Sequence, residues 1–117
     1  HAFGIAGTRA RNAEELEWFN RIYWFTVEFG LINPSAHLNQ KRNEKLSRIY
    51  GSGISSSCGE IEYSLSSKVK KYPFVINIVT ETTFDIHHMQ EYLFEISSFA
   101  ELEETFCKWA SQKGFLV

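Results

Sequence analysis

Long apolar runs, paired cysteines and a strong charge of either sign are all missing from this chain. No apolar stretch approaches the roughly 20 residues that a membrane-crossing helix needs. The first residues lack the charged-then-apolar order of a secretory signal. Cysteine occurs twice, at Cys58 and Cys107, far apart and without a CxxC pair. That usage fits a reducing, cytoplasmic setting, with one disulfide left open. The net charge is −2 at pH 7, which argues against a nucleic-acid or anionic-membrane surface. Lys68, Lys70 and Lys71 form the one basic cluster, and a cluster this short reads as a solvated loop. Repeats and low-complexity segments are absent.

What is present is an ordinary folded composition. Hydrophobic residues make up 44% and charged residues 22% of 117, so disorder is excluded and one small domain, or part of a larger one, is expected. Aromatic residues reach 15%, ten of them Phe. The opening HAFGIAGTRA has no Met and reads as cut from something longer.

Helix signals are local and clear at two places. Asn12 with Glu15 forms a capping box, and Leu16, Phe19, Tyr23 and Val27 continue a helical stripe. Ser98 with Glu101 forms another, with Leu102, Phe106 and Trp109 on one face and Gly114 as the stop. Ser57 with Glu60 predicts a short helix over 58–65. Residues 33–49 read as a polar loop with a short helix at its end, and KVKKYP as a connector. FVINIVTETTF is strand by propensity, and YLFEIS, 92–97, is a short strand. Gly51 and Gly53 mark a turn or a close backbone approach.

RIYWFTVEFGLI, 21–32, poses a chemical question. It is apolar nearly all round, as a buried helix is, and Gly30 with Asn33-Pro34 ends it. Yet it carries Glu28. On an α-helix Glu28 would neighbour Trp24, Phe25, Leu31 and Ile32, none of them a cation. A buried carboxylate is costly unless paired, protonated or bound to a metal. Composition leaves open whether Glu28 reaches solvent, pairs with a distant Arg or Lys, or ligates a metal.

RIYWFTVEFGL closely resembles the signature of the pterin-dependent aromatic amino acid hydroxylases. YGSGISSSCGEIEYSLS resembles a second segment of that family, and TFDIHHMQEYLFEISSFAELEETF its closing part. The resemblance implies the C-terminal portion, 1–117, of a single hydroxylase catalytic domain, mainly helical with a small β component. It implies non-haem Fe(II) held by two histidines and a glutamate, a facial triad with open positions. It also implies tetrahydrobiopterin as cofactor and the ring of Phe, Tyr or Trp as the target of O2.

Residue by residue, Glu28 matches the glutamate ligand and Tyr23 a tyrosine near iron and pterin. Trp24 and Phe29 match aromatic residues of the amino-acid pocket, and Gly53 a pocket glycine. Ser56 matches a serine that hydrogen-bonds an iron-ligating histidine, and Glu60 an acid near that serine. With no family likeness, Trp24 and Phe29 would read as plain core and Ser56 as a cap.

The departures are specific. The family's His-x4-His does not occur here, and His37, His87 and His88 match no ligand position. The pterin loop and the arginine that grips the substrate carboxylate are absent, 33–49 is longer than usual, and Cys58 stands where an aromatic is common. The resemblance therefore implies an isolated chain that is inactive. The alternative is a non-catalytic helical binding or assembly module derived from a hydroxylase.

Overall fold

The computed structural model describes residues 2–55, 58–84 and 90–116. Among the described residues, six helices, a π-turn and four short strands alternate. In order they are α1 (Ala2–Gly7), α2 (Ala13–Tyr23), the π-turn (Trp24–Glu28), β1 (Leu31–Ile32), β2 (Arg48–Ile49), α3 (Ser52–Ser55), α4 (Cys58–Leu65), β3 (Lys70–Pro73), α5 (Ile76–Val79), β4 (Tyr92–Ile96) and α6 (Phe99–Gln112). The fold is mainly helical with a small mixed sheet, ordered β2-β1-β4-β3. β1 runs antiparallel to β2, while β4 runs parallel to both β1 and β3.

Both capping boxes form. The Asn12 side chain accepts from the Glu15 amide at 2.9 Å, and Ser98 Oγ accepts from the Glu101 amide at 3.0 Å. α6 closes in a Schellman motif: the Gly114 amide donates to Ser111 and the Phe115 amide to Ala110. Gly114 sits at φ +85, where a side chain meets the preceding carbonyl. Gly114→Ala should destabilise by about 1–2 kcal/mol, read as a lower urea midpoint at an unchanged slope.

Several expectations are corrected. α1 forms in the opening segment, where nothing was assigned. KKYP is a strand rather than a connector, because its main chain completes a ladder with β4. Residues 33–49 contain two 3₁₀ turns, Asn39–Lys41 and Glu44–Leu46, and end in β2. FVINIVTETTF holds the short helix α5 rather than a strand. The helix through 21–32 ends at Glu28, and Leu31–Ile32 become β1. Of the expected stripe Phe19 is buried, but Leu16, Tyr23 and Val27 are exposed, and Glu15 and Ile22 are buried beside Phe19. Cys58 and Cys107 are both free thiols.

The main core lies between the helices and one face of β4. Phe19, Ile22 and Phe25 pack with Phe94, Ile96, Phe106, Trp109 and Phe115. Aromatic edges meet faces there, with Phe19–Phe115 at 5.0 Å and Phe25–Phe94 at 5.1 Å between centroids. Strand alternation turns Leu93 and Glu95 to the opposite face. Leu93 joins a smaller cluster with Leu31, Ile54 and Val69. Glu95 is fully buried and meets Arg42, whose Nε and Nη2 donate to its two oxygens at 2.6 and 2.8 Å. The 33–49 segment is thereby pinned to the central strand.

Candidate functional site

The site is built on the π-turn. The Phe29 amide donates to the Trp24 carbonyl, five residues back, at 2.9 Å. Thr26 Oγ1 donates to the Ile22 carbonyl at 2.6 Å, a back-bond that bends helices. In an α-helix residues five apart point about 140° away from each other. The extra residue in the π-turn brings Trp24 and Phe29 together instead, with centroids 4.5 Å apart. Phe84 stacks on the other side of Trp24 at 4.4 Å and 10° between planes. Trp24 Nε1–H donates to Gln90 Oε1 at 3.1 Å, fixing the indole edge. Single π-turns inside helices recur at functional sites.

The end of the π-turn is wrapped by residues 50–53. The amides of Tyr50 and Gly51 both donate to the Gly30 carbonyl, at 3.2 and 3.1 Å. Ser52 Oγ donates to the Val27 carbonyl at 3.3 Å. The approach needs glycine. A Cβ on Gly51 would lie 2.5 Å from the Glu28 carbonyl oxygen and 2.6 Å from the Gly30 nitrogen. A Cβ on Gly30 would collide with the Tyr50 ring. The Tyr50 hydroxyl is itself buried with no hydrogen-bond partner among the described residues, and burial pushes its phenol above the ordinary range.

Glu28 ends the π-turn half-buried, its Oε2 facing Gly53. Other glutamates that are withdrawn from solvent have partners: Glu15 has Arg11, Glu95 has Arg42 and Glu101 has His37. Among the described residues neither a cation nor a hydrogen-bond donor reaches the Glu28 carboxylate. Its lone pairs are therefore available to a ligand, which suits a metal-binding oxygen. Among the described residues no cluster of three or more His, Cys, Asp or Glu could hold a metal ion.

The other candidates divide. Trp24, Phe29 and Gly53 gather around Glu28. Tyr23 lies one residue before the π-turn, 41% exposed, and its ring packs on Phe3 at 6.1 Å rather than on the Trp24 stack. Glu60 sits half-buried in the first turn of α4. Ser56, Ser57, His87 and His88 lie outside the described residues. Sequence reasoning missed Phe84, Gln90, Tyr50 and Gly30. Gly51 was flagged for close backbone approach, without its partner.

A family profile described as biopterin-dependent aromatic amino acid hydroxylase matches residues 2–115. The phenylalanine-4-hydroxylase of Ralstonia nicotianae is 37% identical over 102 residues, covering 86% of this chain and 30% of that protein. The tyrosine 3-monooxygenase of Schistosoma mansoni is 32% identical over 111 residues, 95% of this chain and 22% of that protein. The chain thus spans about a third or less of these curated relatives' length. Among solved structures, Chromobacterium violaceum phenylalanine hydroxylase with bound iron(III) and 7,8-dihydrobiopterin superposes with a TM-score of 0.76 at 34% identity, covering 95% of this chain and 38% of that one. A structure of the same enzyme with iron and phenylalanine also superposes with a TM-score of 0.76. A profile match running through both glycine-rich strap and π-turn, together with the shared fold, places the chain in the biopterin-dependent aromatic amino acid hydroxylase family.

Proposed function

We propose that the natural polypeptide carrying this sequence is an iron(II)- and tetrahydrobiopterin-dependent monooxygenase that hydroxylates the ring of Phe, Tyr or Trp with O2. In this reading residues 1–117 form the C-terminal portion of one catalytic domain, and the two histidine ligands come from elsewhere in the protein. One observation carries it beyond family membership: the half-buried Glu28 carboxylate lacks a partner among the described residues and sits beside a stack of aromatic rings.

Iron and pterin together supply the oxygen chemistry, which no side chain can provide. The chain's own residues hold and screen. Glu28 presents a carboxylate oxygen to the metal. Trp24, Phe29 and Phe84 together offer an apolar aromatic lining for a ring and exclude water from it. Gly53 leaves the space beside Phe29 open. Tyr23 borders the iron and pterin side. Ser56 would hydrogen-bond a histidine ligand, with Glu60 near that serine, a support whose loss usually costs 10–100-fold in metal affinity.

The test is an assay of the natural polypeptide with Fe(II), a tetrahydropterin and each of the three amino acids in competition. Hydroxylated product in step with pterin oxidation supports the reading, and the preferred ring names the substrate. No product from a protein loaded with iron would overturn it and favour a non-catalytic module. The isolated 117-residue chain, with one ligand of three, should give no sustained product under the same conditions.

A further inference from the structure

We propose that Gly53 is a positioning residue for the Glu28 carboxylate: the missing side chain at 53 selects the rotamer that aims Glu28 at its metal. The proposal rests on the reading of Glu28 as a metal ligand. It goes beyond an open pocket wall, because it assigns Gly53 a role before any amino acid binds.

Three contacts converge on one absent methyl group. A Cβ at 53 would lie 2.9 Å from the Glu28 carbonyl oxygen, 2.9 Å from Glu28 Oε2 and 3.2 Å from Phe29 Cε2. The first atom is main chain at the end of the π-turn, where a side chain at 51 would also collide with it. The third belongs to a ring held against Trp24. Only the second can swing away, by turning the Glu28 side chain out of its present direction. Steric exclusion at 53 therefore acts on the carboxylate, the one movable group, as well as on the main chain. Among the described residues no hydrogen bond holds that carboxylate, and the backbone at 53 is the packing surface against its Oε2. A ligand carboxylate must be held within roughly 0.5 Å of its productive position, and a rotamer change exceeds that.

The strap keeps Gly53 in place. Its anchors are the paired amides on the Gly30 carbonyl and the Ser52 hydroxyl on the Val27 carbonyl. Ser52 is exposed, so removing its hydroxyl loosens the strap from the solvent side.

The experiment is a Co(II) titration of the natural polypeptide without amino acid or pterin, followed by the metal's visible absorption. Glu28→Gln comes first. If it leaves Co(II) affinity unchanged, the ligand reading fails. If affinity falls, Gly53→Ala should weaken Co(II) by about 10–100-fold, the usual effect of losing a ligand's support, and change the band shape. In the Glu28→Gln background the same substitution should cost nothing further. Ser98→Ala, which loosens a distant cap, should leave Co(II) affinity unchanged. Wild-type affinity and spectrum in Gly53→Ala, or an equal loss in the Glu28→Gln background, would overturn the proposal while the ligand reading stands. If Gly53→Ala does not fold, Ser52→Ala decides. A severalfold loss there supports positioning by the strap, and unchanged affinity overturns it.

Discussion

Glu28→Gln in the natural polypeptide should lower iron affinity by more than about 100-fold, beyond the 10–100-fold that loss of an outer partner costs, and should abolish aromatic hydroxylation. The metal-free protein should not be destabilised. Removing a half-buried charge that no described donor or cation satisfies removes a burial cost, so its melting temperature should hold or rise. This split separates a ligand from a structural residue: a structural Glu28 would lose stability first and iron only as a result. Iron content by elemental analysis, turnover and metal-free thermal unfolding check the three parts. Wild-type iron content in this variant would rule out the ligand role.

Arg42→Ala should be strongly destabilising. Glu95 is fully buried, and Arg42 forks onto both of its oxygens with its side chain 21% exposed. Breaking such a pair leaves a buried charge uncompensated and costs about 3–5 kcal/mol. Replacing both partners with apolar residues, as in Arg42→Met with Glu95→Leu, should restore most of that loss. Urea unfolding of wild type, Arg42→Met, Glu95→Leu and the double variant closes the cycle, and near-additive losses would show that the pair is not coupled.

The same pair sets a pH dependence. Burial pushes the Glu95 carboxyl up, but the Arg42 hydrogen bonds and charge outweigh it and hold Glu95 below its ordinary value. A depressed value in the folded state means the unfolded chain binds the proton first. The stabilisation is therefore full above about pH 4.3, the ordinary Glu range, and is lost as pH falls through the folded value. Acid unfolding followed at several pH values should show this slope in the native protein and not in the doubly apolar variant.

How much of this was legible in the sequence follows the range of each signal. Asn12 with Glu15 and Ser98 with Glu101 are contacts three residues apart, and both caps form as read. Gly114 ends α6 for a reason contained in its own backbone. β3 was not legible, because Lys70, Lys71 and Tyr72 carry no strand pattern and become a strand only through β4. The stripe of α2 was misread because Tyr23 and Val27 are apolar yet exposed. Periodicity finds a helix more readily than it finds which face is covered.

The candidate site divides the same way. Glu28 stood out chemically, as a carboxylate in an aromatic run, and the family resemblance named its neighbours Trp24, Phe29 and Gly53. The π-turn that brings these together has no local signature in WFTVE. It is set by the back-bond of Thr26 and by the strap at Gly51, which meets the main chain from more than twenty positions away. Phe84 and Gln90 escaped notice because their contact with Trp24 depends on the path of the chain between α5 and β4.

The strand order has a consequence for synthesis. Leu31 lies opposite Glu95 in the parallel ladder, and Lys70 opposite Tyr92. β1 and β3 therefore both leave the ribosome with an open edge and wait for the same late strand. Loop closure must come before those contacts form, so the sheet should be the slow step of folding. Until β4 arrives, Leu31 and Val69 present apolar surface and unpaired amides, the kind of nascent surface that invites misassembly. A stall or nonsense codon shortly before residue 92 would release a chain with two waiting edges and no centre. Such products should depend on chaperones or aggregate, whereas release after α6 should not.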